Sequence, residues 1–393
     1  MAFYWLMSTI TFTQSALFRT PWRARLGLVA PALVVLVFYA GLVGYIAGNY
    51  FEGDAACFAR VGETVATQHL IANKRCIMRE SAGYDGQFFY FIALDPTLTT
   101  YDPRASLDQP SYRYGRILYP TLAWLAALGR AELVPWALVL VNVVAAAAAT
   151  LGAAYLLTGI RVIPWLSLVV GLSPPVIIGT LADLSEPVAM ACLVWGVALH
   201  FRSRHALAAV ALTCATLTRE VGVIVPVIYA SVLAAQGKWR SLAPYLLAPS
   251  ALVLWNLVLW FRFDAFGIIN GSRNFGPPLG GMIYRMRWLL GMESPVFGEG
   301  LATSSQLNGE LPILILSLAV IALGLTKPFT RPSTTAIQLA AQCFLMIFLT
   351  ADNFLDIFSF GRTLGPMYLF YGLAMLEPRR ATRLLRQPQF APP

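Results

Sequence analysis

From Leu26 to Gly48 the chain runs without a single charged residue. Apolar runs of this kind recur to its far end. A helix needs about 20 apolar residues to cross the hydrocarbon of a bilayer. Within lipid every backbone N–H and C=O must find a partner inside the protein, which leaves helices or a closed barrel. Barrel strands would read as short alternating segments of about ten residues. The runs here are long and continuous, so they predict an all-α polytopic membrane protein. Composition agrees. Of 393 residues, 58% are hydrophobic and 12% charged, against about 25% charged in soluble domains.

Ten spans are predicted: 26–48, 133–158, 162–180, 186–201, 205–217, 220–236, 242–263, 310–326, 334–351 and 358–377. They form one integral membrane domain over 1–393, with long outer segments at 49–132 and 264–309 and a basic tail at 378–393. Residues 116–129 are too short to cross and are expected to lie in the interface. Residues 1–18 are apolar but precede the basic cluster Arg19, Arg23 and Arg25. That order is the reverse of a secretory signal, so they too are expected at the interface.

Ten spans put both termini on one side. Arg161, Arg202, Arg204, Lys238, Arg240, Lys327 and Arg331 fall there, with the basic residues at both ends and one acid, Glu377. Lys and Arg in short loops mark the cytoplasm, so both termini are expected to be cytoplasmic. The net charge of +9 is scattered between spans with no long basic run. That argues for membrane lipids as partners and against nucleic acid. Cys57 and Cys76 share the first outer segment, where they could pair or stay free. Cys192, Cys214 and Cys343 fall in spans.

Polar groups that defy the lipid rule mark function in such a chain, and they gather on the outer side. Tyr84-Asp85-Gly86-Gln87 opens the aromatic run Phe88-Phe89-Tyr90. A carboxylate there is either a helix cap or a site residue, and the aromatic run is expected to line a cleft. Arg113 and Arg116 would share a helix face, as would Tyr112 and Tyr119. Paired guanidiniums fit a phosphate or lipid headgroups. Asp183-Leu184-Ser185-Glu186-Pro187 reads as a helix start with Ser185 capping. Thr218-Arg219-Glu220 places charges between apolar segments, with Glu220 expected to orient Arg219. Asp352-Asn353-Phe354-Leu355-Asp356 precedes Arg362. His69, His200 and His205 are dispersed, so no histidine metal site is expected. P-loop, dinucleotide, HExxH and GxSxG motifs do not occur.

This order of motifs resembles the GT-C superfamily of membrane glycosyltransferases, which use polyprenyl-phosphate-linked sugars. Asp85 stands where that superfamily carries its first-loop catalytic acid. Leu118-Tyr119-Pro120 and the run to Gly129 look like its outer juxtamembrane helix. Ser173-Pro174, Asp183 and Glu186-Pro187 resemble its outer turn between the third and fourth spans. Arg219 stands where a basic residue often meets donor phosphate. Many members carry paired acids in loop one, whereas Asp95 and Asp102 are the nearest acids downstream of Asp85. Metal dependence therefore stays open.

The resemblance implies transfer of a sugar from a polyprenyl-phosphate donor to a glycan or lipid acceptor, outside a bacterial plasma membrane. Asp85 would be the catalytic base. Tyr84, Gln87, Tyr90, Arg113, Arg116, Tyr119, Asp183, Glu186, Arg219, Glu220 and Arg362 would bind substrate. A lipid-linked glycan flippase, a glycan polymerase or ligase, and a scaffold subunit remain as other readings.

Overall fold

A computed structural model describes residues 22–63, 76–99, 107–271, 274–292, 303–354 and 357–376. The segments 1–18 and 378–393, together with His69, Asp102 and Asp356, lie outside the described residues.

The described chain is nearly all helix. Helix α1 (Trp22–Tyr50) leads into the segment expected on the outer side, which holds α2 (Gly86–Leu94), α3 (Pro110–Tyr114) and α4 (Leu118–Ala126). Then come α5 (Val134–Gly159), α6 (Leu168–Gly171), α7 (Pro174–Leu181), α8 (Glu186–Phe201), α9 (His205–Thr218) and α10 (Ile224–Ala235). Helices α11 (Trp239–Leu242) and α12 (Leu247–Phe263) are followed by α13 (Gly267–Gly271) and α14 (Gly280–Leu289). The chain continues through α15 (Ser304–Thr330), α16 (Thr334–Ile347), α17 (Ile357–Thr363) and α18 (Gly365–Leu376).

Among the described residues, four helical stretches are long and apolar enough to cross a membrane: Leu26–Tyr50, Ala131–Gly159, Trp239–Phe263 and Gln306–Thr330. The expected span 162–180 is a bent pair, with 48° between its halves. Pro174 and Pro175 lack the N–H groups that would carry the helix through, so the chain restarts there. Counting that pair as one span gives five. The spans expected at 186–201, 205–217, 220–236 and 334–351 are shorter apolar helices. The span expected at 358–377 is divided between α17 and α18, where Gly365-Pro366 restarts the backbone for the same reason.

Helix α5 is the central post, packed against α1, α4 and α8. Within it the Asn142 amide donates to the Tyr119 hydroxyl (2.8 Å), the Leu184 carbonyl (3.0 Å) and the Gly179 carbonyl (3.1 Å). One buried side chain thus ties α4, α7 and the turn before α8 together. In a dry interior, such bonds are costly to leave unmade.

A disulfide joins Cys57 and Cys76, the pair singled out in the first outer segment. Beside it Val61–Gly62 pairs in parallel with Ile77–Met78, and Val61 also bridges to Gly83. This small lattice leads the chain into Asp85. Buried apolar side chains form two clusters, one around α2, α4 and α5, the other around α9, α10, α16 and α18.

Candidate functional site

The two clusters meet at a cavity of about 370 Å³. Asp85, Arg113, Arg116, Glu186, Arg219, Glu220 and Arg362 all line it. These residues come from the first outer segment, the start of α8, the break between α9 and α10, and α17.

Asp85 occupies the N-cap position of α2, yet its side chain makes no capping bond. Its Oδ1 accepts from Arg113 at 3.1 Å and its Oδ2 from Arg362 at 2.8 Å. Arg113 also forks onto Asp108, at 2.8 and 2.9 Å, and lies 3.8 Å over the centre of the Phe88 ring. Burial opposes ionisation of Asp85. The guanidiniums of Arg362, Arg113 and Arg116 outweigh it and hold the carboxyl well below the usual carboxylate range.

Arg219 and Glu220 do not serve each other. Arg219 is extended, with φ −146° and ψ 122°, which sends successive side chains to opposite sides. Arg219 pairs with Glu186, itself 3.8 Å from Arg362. Glu220 takes a forked pair from Arg116, at 3.1 and 3.2 Å. Arg116 also donates to the Tyr112 hydroxyl. The expectation that Glu220 orients Arg219 is corrected accordingly.

Every guanidinium of the wall already has a carboxylate. Arg113 and Arg362 share Asp85, Arg116 pairs with Glu220 and Arg219 with Glu186, while Asp352 lines the wall apart from these pairs. An incoming anion must share donors with these acids rather than meet bare positive charge.

Two helices add a largely apolar stretch of wall. Glu186, Ala189, Met190 and Leu193 lie at helical spacing along α8. Gln342, Leu345, Met346 and Leu349 repeat that spacing along α16 and its end. One stripe of each helix therefore faces the space. From Glu186 to Leu193 the stripe descends about 10 Å. The cavity is charged at one end and oily along its depth.

Five expected site residues do not line it. Tyr84 touches the network from behind, with the Arg362 guanidinium 5.1 Å from its ring centre. Gln87 is buried; it accepts from the Gly62 N–H at 3.0 Å and donates to the Ala82 carbonyl at 2.8 Å. Tyr90 sits in the core. Tyr119 donates to the Leu138 carbonyl at 3.2 Å, and its ring meets Phe89 edge-on. The expected aromatic lining is corrected for a simple reason: α2 is apolar on every face, so it is buried rather than amphipathic. Tyr112 and Tyr119 part because the chain breaks between α3 and α4.

The fifth is Asp183. It is fully buried, holds φ +48°, and neither carboxyl oxygen has a hydrogen-bond partner among the described residues. Burial pushes its carboxyl well above the usual range. Ser185 sits at the N-cap of α8 but makes no side-chain cap bond. Asp95 closes α2, accepting from Thr97 at 2.9 Å.

Some groupings were not read from sequence. Asn274, Phe275 and Ile268 of the second outer segment line the cavity, with Gln342 of α16. The only local signal is an aromatic beside the Gly276-Pro277-Pro278 turn. Arg285 and Glu310 form a buried pair at 2.7 Å that joins α14 to α15, away from the cavity. His200 and His205, dispersed in sequence, both reach the Tyr245 hydroxyl, at 2.6 and 3.1 Å. No protein-family model, curated protein or solved structure matches this chain.

Proposed function

We propose that the chain is a membrane glycosyltransferase of the GT-C kind, moving a sugar from a polyprenyl-phosphate donor to an acceptor hydroxyl outside a bacterial plasma membrane. The observation that carries this reading is the division of one cavity into a charged end around Asp85 and an apolar run between α8 and α16. A lipid phosphate has the same two-part character.

In this reading the acceptor oxygen bonds to the anomeric carbon as the bond from that carbon to the phosphate oxygen breaks. The electron pair leaves with the phosphate, and the acceptor proton passes to Asp85. Direct displacement inverts the anomeric centre. Arg362, Arg113, Arg116 and Arg219 spread the charge that builds on the leaving phosphate. At rest both Asp85 oxygens are occupied by guanidiniums. A bound phosphate would draw those donors off and free an oxygen to act as base.

The topology proposed with it has ten crossings. The four long helices and the bent pair are joined by five shorter apolar helices, which cross where protein rather than lipid surrounds their ends. Both termini are then cytoplasmic.

Asp85→Asn should lower transfer from a panel of polyprenyl-phosphate sugars by about 10²–10⁴, with the protein still folded and monodisperse. Full activity in that variant would remove the base assignment.

A further inference from the structure

The outward rim of the cavity has a chemistry of its own. Residues 274–279 run beside 347–353. The Thr350 N–H donates to the Asn274 carbonyl at 3.0 Å and the Gly276 N–H to the Phe348 carbonyl at 2.7 Å, and Phe275 bridges to Leu349. The pairing places Asn274, Phe275, Asp352 and Asn353 on one edge, all lining the cavity. Phe275 and Asp352 are exposed.

The two amides are held in fixed orientations. The Asn274 Nδ2 donates to the Tyr112 hydroxyl and the Gly271 carbonyl, both at 3.1 Å. The Asn353 Nδ2 donates to the Asn274 carbonyl and the Thr350 hydroxyl, both at 3.4 Å. Each amide is thus left with its Oδ1 as an acceptor. Among the described residues nothing donates to those two oxygens or to the Asp352 carboxylate. The rim offers acceptors beside one open aromatic face, so it asks for a ligand with several donors and a C–H surface.

Four ligand chemistries compete for such a rim. A phosphate is repelled by Asp352 and finds its donors at the arginine end. A prenyl tail gains nothing from a polar rim. An ammonium would suit Asp352, but it is a compact, strongly hydrated point charge and brings no C–H face to lie along the exposed ring of Phe275. A sugar ring meets every demand. Its hydroxyls donate to amide and carboxylate oxygens, and its slightly positive C–H face lies against the negative face of an aromatic ring.

We infer that Asn274, Phe275, Asp352 and Asn353 form a binding site for a neutral saccharide, which serves as the acceptor in the transfer proposed above. Its role as acceptor rests on that reading; its binding does not. Tyr112 links the two ends of the cavity, since its hydroxyl receives both Asn274 and Arg116.

The test uses the full chain in phospholipid nanodiscs, free of glycoside detergents, with saturation-transfer NMR and titration. The probes are methyl glycosides of glucose, galactose, mannose and arabinose, with ethanolamine as the cationic control. At least one glycoside should bind and ethanolamine should not. Phe275→Leu keeps apolar bulk but loses the ring, and should weaken binding about tenfold. Phe275→Tyr should retain it. Asp352→Asn and Asn353→Ala should each weaken it, whereas Glu132→Gln, exposed and away from the cavity, should bind as wild type does. Undiminished glycoside binding in Phe275→Leu and Asn353→Ala would overturn the site, as would binding of ethanolamine alone. The two ideas fail separately. Transfer that survives Asp85→Asn defeats the transferase while the saccharide site stands. Transfer lost in Asp85→Asn, with glycoside binding and acceptor KM unmoved by Phe275→Leu, defeats the site alone.

Discussion

A carboxylate between two guanidiniums is a weak base, and Asp85 sits between Arg113 and Arg362. Its carboxyl is held low in the resting protein. The stabilisation this pairing gives is therefore present above the unfolded value of about 3.9 and is lost only as pH falls through the lower folded value. Activity should follow the same sign. The free protein keeps Asp85 ionised through the mildly acidic range, so kcat/KM should stay flat down to about pH 4. If donor phosphate draws the guanidiniums away, the carboxyl rises in the complex, and kcat should show an acid limb at higher pH than kcat/KM. Superimposable profiles would show that no such exchange of partners takes place. Asp183 behaves oppositely. Buried without a counter-charge, its carboxyl is held well above the usual carboxylate range, so the fold loses stability as the pH climbs from the unfolded value through the raised one.

At the level of elements, the position of Asp85 depends on how closely α2 approaches its neighbours. A Cβ on Gly86 would stand 2.1 Å from the Ala182 carbonyl oxygen and 2.9 Å from that of Ala59. Backbone atoms cannot yield as a flexible side chain would. Gly86→Ala should therefore cost about 1–3 kcal/mol and push the start of α2 away from the turn before α8. Because Glu186 and Arg362 lie across that turn, transfer should fall by more than the loss of folded protein explains. Thermal unfolding and specific activity measured on the same preparation check this. A variant with wild-type values in both would mean that the contact has no part in placing Asp85.

For the whole molecule the open quantity is the number of crossings. Single cysteines introduced at Lys238 and Lys327 should react only with membrane-permeant reagents in intact cells, since the proposed ten crossings put both positions inside. One introduced at Asp264 should react with an impermeant reagent. Labelling of Lys327→Cys from outside would mean that the helices between α12 and α15 cross a different number of times.

Chemistry readable one residue at a time was legible in the sequence. Apolar runs fixed the helical class because lipid forbids any other open structure, and charges stranded among them marked Asp85, Arg113, Arg116, Glu186, Arg219, Glu220 and Arg362. Partners were not legible. Whether Arg219 turns to Glu220 or to Glu186 is set by one extended backbone at the end of α9. Whether Tyr119 faces a ligand or the core is set by where α4 meets Asn142. The bend at Pro174 and the short helices left span length uncertain, because a helix sheltered by others need not be as long as one bathed in lipid. The rim of Asn274, Phe275, Asp352 and Asn353 joins two segments some eighty residues apart. Ordinary polar residues in outer loops acquire meaning only once folding lays them side by side, since hydrogen bonds act over a few ångströms and sequence separation carries no record of that distance.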